Sequence, residues 1–277
     1  TLAKSSEVQK LSLVNSGFKE MNDNFTDYPS MIYDGPFSDH ITRKTSVYLE
    51  GMDQISKEEA LDIAASFIGF NKDQITDEGE IQSNMPVYKF KADSKEISVT
   101  KQGGYVSYFL STRDVVDQKL DFNAANSKAL DFLASNQITS LKESYYEIKN
   151  GICTINYAFF KDNIIHYPDL IKVSVALDDG TVLSMDATGF LMNHTNRKVP
   201  AKILTQSEAA GKISKRLTIN NVNKAFIPTT GLGEVFCYEF ECTGENNEKV
   251  LVYINATSGL EEQIFIVISS EEGYLVM

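Results

Sequence analysis

The chain has 277 residues, room for two or three domains, and its 42% hydrophobic and 23% charged content argues against a wholly disordered, collagenous or coiled-coil protein. A formal charge of −12 repels phosphate backbones and anionic lipid, so neither a nucleic-acid partner nor peripheral membrane binding is expected. Three cysteines with no C-x-x-C pair argue against a disulfide framework and structural zinc, and no metal or cofactor is expected.

Leu11, Val14, Phe18, Met21 and Phe25 recur at alternating spacings of three and four, a helical seam of coiled-coil type. Asp27-Tyr28-Pro29 stops it, because proline pushes the preceding residue out of the helical region. Residues 4–26 read as the last helix of a truncated helical region that packs within the same polypeptide. Asp34-Gly35-Pro36 is then a turn by residue type, holding Tyr33, Phe37 and His40 around a rigid bend. This bend has two readings, an anchor for a partner or a plug between helix and repeat.

Beyond residue 50 the chain repeats. Ser56-Lys57-Glu58-Glu59 is a capping box, followed by Ala60, Leu61, Ala64, Phe67 and Ile68 on one helical face. The same box and stripe return 149 residues later as Thr205, Glu208, Ala209, Ala210, Ile213 and Leu217. A shift of 69 finds Ala129, Leu130 and Leu133, with Asn123 as the expected cap. Copies therefore start near 56, 123 and 205.

After each helix the period changes to two. Tyr88, Phe90 and Ala92 alternate with Lys89 and Lys91; Cys153, Ile155, Tyr157 and Phe159 share a face. Ile171, Val173, Val175 and Leu177 alternate with Lys172, Ser174 and Ala176, and Tyr238, Phe240 and Cys242 oppose Cys237, Glu239 and Glu241. Such alternation predicts antiparallel strands with one buried and one wet face. Gly103-Gly104, Asp179-Gly180 and Ser258-Gly259 are the expected hairpin turns. The predicted fold class is α+β, three tandem repeats (51–118, 119–200, 201–277), each one helix on a small antiparallel sheet, after a helical segment and linker over 1–50.

Charge concentrates at the end. From Glu234 to Met277, nine acids against Lys249 alone supply eight of the twelve excess negative charges. They read as solvated outer faces or, with Glu239 and Glu241 in the lead, as a docking surface for a basic partner.

A search for chemistry finds little. His40, His166 and His194 stand far apart, in no metal-binding spacing, and read as surface or loop residues. There is no G-x-S-x-G elbow. Cys153 and Cys242 read as core, and Cys237, beside Glu239 and Glu241, as a thiol of raised pKa. No motif singles out two acids for glycoside hydrolysis, and no tryptophan is present for sugar stacking. No catalytic residue is assigned.

The repeat unit resembles the PepSY domain, through Ser56-Lys57-Glu58-Glu59-Ala60 and the stretches VSVALDDGTVLSMDATG (173–189) and VLVYINATSGLEEQI (250–264). YPSMIYDGPFSDH (28–40), GFLMNHTNR (189–197) and VYINATSGLEEQIFIVISSEEGYLVM (252–277) are similar to the YpeB germination family of spore-forming bacteria. The likeness runs from about residue 28 to the C-terminus. It implies three PepSY-like repeats after a membrane-anchoring segment that this sequence lacks, and a place on the outer face of the inner spore membrane or in the cortex region. The implied role is non-enzymatic: binding, stabilising or restraining a cortex-lytic enzyme of the SleB type, with peptidoglycan as a second candidate partner. The alternatives are a hydrolase acting directly on cortex or a propeptide-type protease inhibitor.

Overall fold

A computed structural model of the chain describes residues 45–229, 233–270 and 273–276. The seam over 4–26 and the bend carrying Tyr33, Asp34, Gly35, Pro36, Phe37 and His40 lie outside them.

Helix α1 (Lys57–Ile68) precedes strands β1 (Thr76–Ile81), β2 (Val87–Ala92), β3 (Lys95–Thr100) and β4 (Val106–Ser111). Both halves of its capping box form: the Ser56 hydroxyl accepts from Glu59 N at 3.2 Å, and Ser56 N donates to the Glu59 carboxylate at 2.7 Å. Helix α2 (Phe122–Ser135) precedes β5 (Leu141–Lys149), β6 (Ile152–Lys161), β7 (Ile164–Ala176) and β8 (Val182–Asp186), and α3 (Thr188–Asn193) follows. The cap of α2 is Asp121 and not Asn123, because the Asp121 carboxylate accepts from Ala124 N at 2.9 Å and so supplies a partner two residues earlier. Helix α4 (Gln206–Ala210) precedes β9 (Thr218–Pro228), β10 (Glu234–Thr243), β11 (Lys249–Asn255), β12 (Glu261–Ser270) and β13 (Gly273–Val276). Thr205 and Glu208 form the expected box, yet α4 stops at Ala210. Ile213 and Leu217 pack on the core beneath it from turns, not from a helical stripe.

Each helix is entered in the same way. The residue before the cap is Ile55, Leu120 or Leu204, and its N–H donates to the carbonyl of Lys101, Leu177 or Ala256. Three residues beyond each acceptor stands a hairpin glycine, Gly104, Gly180 or Gly259. A Cβ built on it would come within 3.1–3.2 Å of that same pre-cap side chain. Gly180 (φ +80°) and Gly259 (φ +73°) are thus held to glycine by backbone angle and by close approach.

The small sheets join edge to edge. Among the described residues the strands order β1-β2-β3-β4-β8-β7-β6-β5-β13-β12-β11-β10-β9. The first and second units meet through β4 and β8, antiparallel, with Tyr108 opposite Asp186 and Leu110 opposite Ser184. The second and third meet twice: β13 pairs β5 at Gly273 and Glu147, and β7 runs parallel to β9 from Ile164–Lys224 to His166–Phe226. Together these contacts close β5, β6, β7, β9, β10, β11, β12 and β13 into a ring of eight strands.

Closure explains the burial. One core joins the helix-facing sides of the first two units, including Phe90, Ile97, Leu133, Ile155, Tyr157 and Val173. A second lies between α4 and the outside of the ring, around Phe236, Tyr238, Phe240 and Val252. A third fills the ring interior with Ala158, Ile165, Ala225, Ile227, Cys237, Tyr253 and Phe265. Cys237 and Cys242 therefore project to opposite faces, as expected, but both faces are covered. Strands predicted to have a wet side bury it too: Asn156 is 3% and Ala176 0% exposed. Alternation reports that a strand has two faces, and only closure of the ring decides what covers the second.

Candidate functional site

The site grows from an irregularity in β7. Its ladder with β6 jumps from Leu170–Ala158 to His166–Phe159, so the register skips Tyr167, Pro168 and Asp169. Proline has no N–H for a ladder, so a bulge is where a central strand can carry one. The bulge sends its two polar side chains to different places.

Asp169 is fully buried and meets Arg197, which lies beyond α3. The guanidinium binds Asp169 with both Nη atoms, at 2.7 and 2.8 Å, and Glu234 of β10 through Nε at 2.5 Å and Nη2 at 2.9 Å. Nη2 also donates to the Asn193 carbonyl at 3.0 Å. Every face of the fork is used, in the bidentate geometry that favours arginine. Burial opposes the charge on Arg197, but the carboxylates of Glu234 and Asp169 hold its pKa above the ordinary value. His194 Nδ1 lies 2.7 Å from Asp169, and its ring stacks on Phe190. His166, 6% exposed among Phe159 and Phe226, is pushed down to about 4 by burial, with Asp169 opposing and Arg197 reinforcing the shift. His166, buried in β7, departs from its reading as a surface or loop residue, whereas His194 does stand in the loop after α3, half-buried; both pack into one polar junction between the second and third units.

Tyr167 turns the other way, into the ring. Its hydroxyl donates to Glu239 at 2.6 Å, and the Asn223 amide donates to both Glu239 and Glu241 at 3.0 Å. Burial and the charge of Glu239 push the Tyr167 and Tyr253 hydroxyls well above their usual pKa. Beside them a cavity of about 310 Å³ opens, lined also by Lys142 and Lys249. Glu239 is only 3% exposed, so it does not belong to a solvated outer face. Three other acids of this run, among the described residues, are engaged separately. Glu234 is on Arg197, Glu262 accepts from Asn255 at 2.8 Å, and Glu248 accepts from Asn246 N at 2.8 Å within its own turn.

Burial pushes Cys153 and Cys237 up to about 12, with Glu262 adding to the effect at Cys237, so both stay thiols at neutral pH. Among the described residues no group of three or more His, Cys, Asp or Glu is placed to hold a metal ion, and no helix is long and apolar enough to cross a membrane. The sequence reading missed the Arg197 junction. The available signals were Pro168 inside a strand pattern and a lone arginine in GFLMNHTNR, whose carboxylate partners lie 28 and 37 residues away.

Comparison with known proteins follows the same stretch. A family model described as "YpeB sporulation, PepSY1 and PepSY2 domains" matches residues 14–200. The chain belongs to the YpeB sporulation family. It is 32% identical over 275 residues to the sporulation protein YpeB of Bacillus subtilis, covering 94% of this chain and 60% of that protein. With its counterpart in Halalkalibacterium halodurans it shares 32% identity over 219 residues, 76% of this chain and 48% of the relative. The chain thus spans about half to three fifths of the length of these two relatives. Among solved structures it is similar to the Bacillus megaterium YpeB C-terminal domain, with TM-score 0.69 and 25% identity, covering 78% of this chain and 99% of that one. That match agrees with the mixed α+β architecture, and the family name supports a sporulation role.

Proposed function

We propose that this YpeB-family chain is a non-enzymatic germination protein that binds, stabilises or restrains a cortex-lytic enzyme of the SleB type, outside the inner spore membrane. In this reading the full-length protein is membrane-anchored, and the third unit is a further PepSY-like repeat. The shared helix entry at Ile55, Leu120 and Leu204 supports that count.

The observation that carries the non-enzymatic reading is how the buried polar groups are used. Asp169 and Glu234 are engaged by Arg197, and Glu239 by Tyr167 and Asn223. A general acid or nucleophile needs a group free to exchange protons or attack substrate. Here the buried carboxylates serve as struts between repeats, which suits a scaffold.

The test pairs a zymogram on purified cortex with co-purification of the lytic enzyme at low and high salt. Capture of the enzyme without clearing of cortex is expected. Clearing by this chain alone would make it a hydrolase and overturn the reading. So would failure to retain the enzyme at either salt concentration, and inhibition of a protease in its place would favour the propeptide-type alternative.

A further inference from the structure

The ring of eight strands changes character toward one of its ends. Its interior face runs from Cys237 to Glu239 and Glu241 along β10, from Ile227 and Ala225 to Asn223 along β9, and from Tyr253 and Leu251 to Lys249 along β11. The strand register sets these polar positions side by side, with Glu239 opposite Asn223 and Tyr253, and Thr243 opposite Lys249. A cavity of about 310 Å³ opens there, with Ile165, Leu251 and Val267 as its apolar wall. An eight-stranded ring is just wide enough to be filled by its own side chains or to hold one small ligand. Apolar packing fills the middle of this one, and the cavity begins where the charged side chains do.

The charges that line it are of both signs. Glu239 is buried, and it accepts from neutral donors, the Tyr167 hydroxyl at 2.6 Å and the Asn223 amide at 3.0 Å. The same amide nitrogen reaches Glu241 at 3.0 Å and so holds the two carboxylates side by side. A carboxylate accepts at about four lone-pair sites, so Glu239 keeps room for a cationic donor beside these two bonds. A donor of opposite charge would strengthen the bonding of a carboxylate that neutral dipoles already fix in place. Lys142 of β5 and Lys249 of β11 line the same cavity and supply the opposite sign.

We propose that this end of the ring binds a small zwitterion of amino-acid type, with its ammonium group on Glu239 and Glu241, its carboxylate on Lys142 and Lys249, and its carbon chain against Leu251 and Val267. A lone cation would use only the acidic wall and a lone anion only the basic one, so a ligand with both ends is preferred to either. The cavity has room for about ten waters at ~30 Å³ each, which limits the ligand to the size of an amino acid or a dipeptide. The inference rests on the ring alone and does not depend on the identity of any partner enzyme.

Isothermal titration of the full chain with 5-aminopentanoate tests this, with pentylamine and pentanoate as single-ended controls. The expected result is saturable one-site binding of 5-aminopentanoate with a Kd of about 1 mM or tighter, and binding of each control at least about ten-fold weaker. Glu239→Gln and Lys249→Met should each weaken 5-aminopentanoate at least about ten-fold, since each removes the charge that pairs with one end. An absence of saturable heat with 5-aminopentanoate would overturn the proposal. Pentylamine or pentanoate binding as tightly as 5-aminopentanoate would overturn it too, by showing that one charge is enough. So would an affinity unchanged in either variant. Circular dichroism checks that the variants fold, and Glu241→Gln reads the same acidic wall should Glu239→Gln disturb the ring.

Discussion

Replacing Arg197 with methionine removes the guanidinium and keeps most of the side-chain volume. The change strands Asp169, which has no solvent exposure and would keep the His194 imidazole in place of a guanidinium. Glu234 loses its two bonds from Arg197, and the Asn193 carbonyl loses one. Removing one member of a buried ion pair leaves an uncompensated charge, at a cost of about 3–5 kcal/mol. That is a large part of the roughly 5–15 kcal/mol by which a folded domain is stable. Because the three carboxyl and carbonyl partners come from β7, the end of α3 and the start of β10, the loss should fall on the contact between second and third units. Urea unfolding followed by circular dichroism measures it. The double variant Asp169→Asn with Arg197→Met should recover part of the loss, since the buried charge goes with its partner. An Arg197→Met protein within about 1 kcal/mol of the parent would refute the reasoning, because only an exposed pair is worth so little.

Protonation of His166 should weaken the fold in acid. Its folded pKa of about 4 lies below the unfolded value near 6.5, so between these pH values the unfolded chain binds the extra proton. Stability should be full above pH 6.5 and fall by up to about 3 kcal/mol as pH drops through 4. Urea midpoints should show that slope in the parent and lose it in His166→Phe; an unchanged slope in the variant would refute the assignment. Tyr167→Phe removes a donor from buried Glu239 and should cost about 1–3 kcal/mol, read in the same urea assay. Asp121→Ala should cost about 1 kcal/mol and Asn123→Ala much less, and equal losses would contradict the cap position. Cys153 and Cys237, unexposed and of raised pKa, should react with a thiol reagent only after denaturation; prompt labelling of the native chain would contradict their burial.

Local chemistry made part of this protein legible from its residues alone. The boxes at Ser56 and Thr205 form as read, because a cap involves only groups within four residues of each other. Alternation correctly divided Cys237, Glu239 and Glu241 from Tyr238, Phe240 and Cys242, because side chains on a strand must alternate. The cap of the middle helix was misplaced by two residues, since Asp121 and Asn123 are equally suitable by type. No local rule says what covers a strand. The outward acidic face became the ring interior at Glu239 once β7 met β9 and β13 met β5. Arg197 shows the same limit at a single residue. Its type announces a charge, but its carboxylates arrive from β7 and β10, brought together by pairings distant in sequence. The sequence by itself determined where two of the repeated helices start, where strands turn and which side chains share a face, because those depend on neighbours along the chain. Tertiary structure alone decided that the small sheets merge, that a ring closes and that a buried arginine ties β7 to β10, because those depend on neighbours in space.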